Sequence, residues 1–177
     1  MAHALVNGTL PPGDYRVRVN YAKLPGITAL EKQFSGQASV SGVFDGRAWD
    51  RHDSCRVIDE TPGERIFRVV KVPAEFQGKR WRTVWDRLAA HFRQEGFRFA
   101  TEIEAVEFAD AEPTLQIEKW ISVPGSSIMH DIDDCECIAM LRAGGRHRIL
   151  GVGMLDGEIP VDRCLLLVQF FCLLPGV

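Results

Sequence analysis

The chain has 177 residues, of which 46% are apolar and 25% charged. These are the proportions of a folded globular domain, and they exclude a disordered tail or a low-complexity scaffold. Lys plus Arg number 21 against 24 Asp plus Glu, a net charge of -3, so the surface as a whole has no pull toward nucleic acid or an anionic membrane.

At about 100–200 residues per domain, the length predicts one compact domain over residues 1–177. Residues 1–8 lack the charged start and apolar run of a secretory signal. The most apolar stretch, 164–174, is shorter than the about 20 residues that a membrane-spanning helix needs, which places it inside protein. The five cysteines have no disulfide-framework spacing. Reduced, buried thiols in a cytoplasmic protein without membrane contact are therefore expected.

After the turn signal Pro11-Pro12-Gly13, Tyr15, Val17, Val19 and Tyr21 alternate with Arg16, Arg18 and Asn20. That period of two predicts a half-buried antiparallel strand. Residues 27–37 are ambiguous and fit a turn or two of helix, 38–44 return as a strand, and 49–61 read mostly as loop. Arg65 to Val72, rich in β-branched residues and closed by Pro73, reads as another strand.

The clearest element follows. Trp81, Val84, Trp85, Leu88, Ala89 and Phe92 recur in alternating steps of three and one, with Gly96 as a stop. This spacing traces one face of an amphipathic helix over about 79–95. Residues 97–108 and 115–123 suit a hairpin, although Thr101 with Glu104 also has the form of a capping box for a short helix; the hairpin is the preferred reading.

In the last third, 135–142 and 147–154 flank Gly144-Gly145, a pair suited to a two-residue turn with positive φ. With those glycines as the turn, Leu141 opposes Arg148, Cys137 opposes Val152 and Cys135 opposes Met154. One face then collects Cys135, Cys137, Ala139, Leu141, Leu150, Val152 and Met154, and the other Glu136, Ile138, Met140, Arg142, His147, Ile149, Gly151 and Gly153. Asp156-Gly157 makes a second turn, and 161–173 returns apolar on both faces, as in a central strand or a subunit contact. The expected class is α+β: a mainly antiparallel sheet with one long helix packed on it and a C-terminal β-meander.

Three chemical features stand out. His130-Asp131-Ile132-Asp133-Asp134-Cys135-Glu136-Cys137 is the densest run of ligand-type residues, with an echo in Asp50-Arg51-His52-Asp53-Ser54-Cys55. Brought together, His52, His130, Asp131, Asp133 and Cys55 could hold a zinc ion in a hydrolase-like enzyme. Arg82, Arg87 and Arg93 make the helix basic, a possible contact for phosphates or a partner. Gly151 and Gly153 leave one strip of strand bare, a candidate ligand groove.

No catalytic signature accompanies these features. The first expectation is a non-catalytic binding or assembly module, a homodimer or the companion of a protein partner, without a cofactor. A zinc-dependent hydrolase and a nucleic-acid binder are the alternatives.

Overall fold

The structure is a computed structural model that describes residues 13–21, 30, 38–41, 44, 49–55, 60–115, 120–130, 134–144, 147–161 and 164–170. Most of the 27–37 segment, Asp131, Asp133 and Cys172 lie outside them.

The elements are β1 (Asp14–Val19), β2 (Ala38–Val40), β3 (Asp50–Arg51), β4 (Gly63–Lys71), α1 (Trp81–Gln94), β5 (Phe97–Phe99), α2 (Glu102–Ala111), β6 (Trp120–His130), β7 (Cys135–Gly144), β8 (His147–Met154) and β9 (Cys164–Phe170). All these strands join one sheet in the order β1-β4-β9-β6-β7-β8-β2, with β3 added to β6 and β5 to β9. The β6–β9 and β2–β8 pairs are parallel and the rest antiparallel. The mainly antiparallel sheet agrees with the sequence reading.

The C-terminal meander does not form. Strands β6, β7 and β8 follow one another, but β9 crosses back and inserts between β4 and β6. A segment apolar on both faces needs cover on both faces, and a middle position in the sheet supplies it. Leu166 and Val168 enter one core cluster, while Leu165 and Leu167 pack into the other.

Nor is there a single helix. Helix α1 buries Trp81, Val84, Trp85, Leu88, Ala89 and Phe92, the stripe read from the sequence, against Phe97, Phe99, Ile138 and Leu166. Each large side chain removed from water there contributes about 1.5–3 kcal/mol. Of the expected 97–108 hairpin strand only Phe97–Phe99 is extended; from Glu102 helix α2 replaces it and packs Val106, Phe108 and Ala109 on the opposite face, beside Phe67, Leu141 and Leu167. Glu104 Oε2 accepts the Thr101 backbone N–H at 2.8 Å, one half of the capping box. The Arg148 guanidinium donates to the Ala109 carbonyl at 2.9 Å, satisfying an acceptor in the last turn.

Two strand details position the site. Strand β6 runs through Pro124-Gly125, where its register with β7 shifts between Val123 and Ser127. Proline has no ladder N–H to give, so it is tolerated at such a bulge. A Cβ on Gly125 would lie 2.3 Å from the Ala100 carbonyl oxygen, so only glycine lets β6 approach the end of β5 this closely. In the β7–β8 hairpin Gly144 pairs with His147 and Cys137 with Met154; Gly145 of the expected turn lies outside the described residues. The register differs by two residues from the expected one. An even slip leaves every side chain on its face, and the face assignments stand.

Candidate binding cleft

Strand β3 pairs with β6 at Ser126 and Ser127, and the His52 N–H donates to the Gly125 carbonyl at 3.2 Å. The bulge in β6 thus anchors the 50–53 segment beside α1. Between them lies a cleft of about 440 Å³, lined by residues 50–53, by α1, β6 and β7, and by Leu155.

The α1 wall presents Arg82, Trp85 and Asp86. The His52 ring lies 5.1 Å from that of Trp85, tilted by 38°, with its Nε2 3.7 Å from Asp86 Oδ1. On the sheet side, the Ser127 hydroxyl donates to Glu136 Oε1 at 2.5 Å. Arg82 Nη2 donates to Glu136 Oε2 at 2.9 Å, and its Nε to Asp156 Oδ1 at 2.8 Å. The bond to Asp156, then the pull of Glu136, raises the arginine above its ordinary pKa. Arg51 sits between Glu102 Oε1, 3.2 Å from its Nη2, and Glu60. Burial disfavours its charge, but the two carboxylates outweigh burial and hold its pKa above the usual value.

Asp50, Asp53, Asp86 and Glu136 thus line the cleft with only two guanidinium groups, those of Arg51 and Arg82, an excess of carboxylates. Both guanidinium groups are already bonded to carboxylates of the chain. The Ser127 proton is directed at a carboxylate that Arg82 also holds, so the hydroxyl is tied down as a fixed donor.

The residues singled out in the sequence are dispersed. His52 and Arg82 line the cleft. Cys55 is buried in the α1-side core below it. His130 pairs with Cys135 at the end of β6, whereas Ser127 pairs with Ile138 of the α1-side core. Paired residues share a face and neighbours alternate, so His130 and His52 stand on opposite faces of the sheet. Among the described residues no three His, Cys, Asp or Glu side chains gather in a metal-binding group.

Arg87 lies over the Phe76 ring at 5.6 Å, and Arg93 is exposed on α1. The bare strip on β8 is occupied: a Cβ on Gly153 would lie 2.4 Å from the Met140 sulfur. Sequence reasoning missed Ser127, Asp86 and Trp85 as cleft residues. Glu136 was legible as pointing away from Cys135 and Cys137, the one signal in the sequence for this wall. No protein-family description, curated protein or solved structure matches the chain.

Proposed function

We propose that the protein is a non-catalytic binding module that takes a basic segment of a protein partner into this cleft. The observation that carries the reading is the excess of carboxylates over guanidinium groups within one recess whose own cations are already engaged. An incoming ammonium or guanidinium meets the carboxylates of Asp50, Asp86 and Glu136 in one recess. A pre-paired wall also loses little side-chain freedom on binding. The volume of about 440 Å³ suits one or two basic side chains.

The test is a titration with pentalysine at low salt, followed by Trp fluorescence and by amide NMR shifts at His52, Asp86 and Glu136. Binding should saturate, weaken with salt, and fall about tenfold or more in Asp86→Asn, the loss of a charge-assisted contact. Equal binding of pentaglutamate, or shifts confined to residues outside the cleft, would overturn the reading.

A further inference from the structure

On the sheet face opposite the cleft, β7 carries Cys135 and Cys137, both outside any disulfide, with their Sγ atoms 3.6 Å apart. The register sets His130 directly opposite Cys135 across β6–β7 and Met154 directly opposite Cys137 across β7–β8. Opposed residues share a face, with Cβ atoms about 4.5–5.5 Å apart. Two thiols, a thioether and an imidazole thus occupy one patch. Cys137 is 2% exposed and Met154 55%, so the patch has an apolar floor and an open rim.

We propose that Cys135 and Cys137 bind one monovalent copper ion between their thiolates, with Met154 as a third ligand. The spacing fits a shared metal. With Met154 as third ligand the site is trigonal, and two metal–thiolate bonds of about 2.3 Å at about 120° place their sulfurs about 4.0 Å apart, so the thiols, 3.6 Å apart without metal, need to part by only a few tenths of an ångström. The competing fate, a disulfide, is disfavoured by the strand. Residues i and i+2 on an extended chain have Cα atoms about 6.6 Å apart, close to the upper limit of about 6.8 Å for a disulfide.

The donor set decides which metal. A structural zinc site takes four ligands from Cys, His and carboxylates; His130 shares the face of Cys135, but among the described residues it does not close up with the two thiols into a three-ligand group. Thiolates with a thioether instead select Cu(I), which needs only two or three soft ligands. On binding, each thiol loses its proton to solvent and the copper keeps its charge, so the bound unit carries one negative charge and no electron moves. Two protons leave per copper, and affinity rises with pH.

The experiment titrates the reduced full chain anaerobically with Cu(I) against a chromophoric Cu(I) chelator, with X-ray absorption on the loaded protein. One copper per chain is expected, with two or three sulfurs in its first shell. Cys135→Ser should lose it to the chelator, Met154→Leu should hold it about tenfold more weakly or worse, and equimolar zinc should not displace it. Cys135→Ser is the deciding variant, because that side chain is only half-buried and circular dichroism can confirm its fold. The proposal fails if the native protein yields all copper to the chelator. It also fails if Cys135→Ser retains copper, if zinc displaces it, or if the first shell lacks sulfur.

Discussion

Glu104 is fully buried, and its carboxylate is the hub of a charged network inside the α2-side core. Arg98, itself 7% exposed, donates to both of its oxygens, at 2.9 Å to Oε2 and 2.5 Å to Oε1, and the Tyr21 hydroxyl donates at 2.5 Å. Burial alone would push the Glu104 carboxyl up. The Arg98 charge, with the hydrogen bonds from Arg98, Tyr21 and the Thr101 backbone, outweighs burial and holds it below the usual carboxylate range. Burial and the neighbouring Glu104 push the Tyr21 hydroxyl upward. A depressed carboxyl stabilises the fold fully above its unfolded value of about 4.3, and that contribution is lost as the pH falls from there through the folded value. Glu104→Gln leaves Arg98 buried and unpaired, and should cost about 3–5 kcal/mol in urea unfolding at pH 7. The variant's stability should also fall less steeply than that of the native protein between about pH 4.3 and lower values. An unchanged acid limb would show that Glu104 does not govern it. No spacing in the sequence links Tyr21 with Arg98, because the three groups meet only through the pairing of distant strands.

Helix α1 was legible because only one of its faces is buried, which turns the core contact into a periodic pattern. Helix α2 was not, since Glu102, Ile103, Glu104, Ala105, Val106, Phe108 and Ala109 are all buried, and a helix covered on most sides carries no stripe. Its capping box was the one local clue, and the structure shows that it outweighed the strand-like composition. Strand β6 was cut short in the reading at Val123, because Pro124 breaks a regular ladder but not a bulged one. The start of α1 is the weaker of the two helix starts. Its N-cap is Arg80, in extended geometry with no side-chain cap bond, and the first turn has no acid. Arg82 in that turn opposes the helix dipole and is held by Asp156 and Glu136. Arg80→Ser should therefore stabilise the protein by about 0.5–1 kcal/mol, read as a higher urea midpoint with an unchanged slope. A lower midpoint would mean that Arg80 contributes through its side chain.

At the scale of the molecule, β9 joins the two cores, with Leu166 in one and Leu167 in the other. If the chain unfolds as the single domain its length suggests, damage to one core will be felt in both. Leu167→Ala should cost about 2–5 kcal/mol and accelerate amide exchange in α1 as well as in α2. Acceleration confined to α2 would show that the two cores open separately. What the sequence by itself determined is local: the alternation in β1, the stripe of α1, the two-faced apolarity of β9 and the faces of β7 and β8. Each follows from a repeat of 2 or 3.6 residues against one core. Only the tertiary structure decided that β9 turns back between β4 and β6 instead of extending a meander, that α2 covers the second face, and that His52 and His130 lie on opposite sides. Those outcomes depend on which distant segment covers which apolar surface, and hydrophobic burial is non-directional, so no short run of residues encodes them.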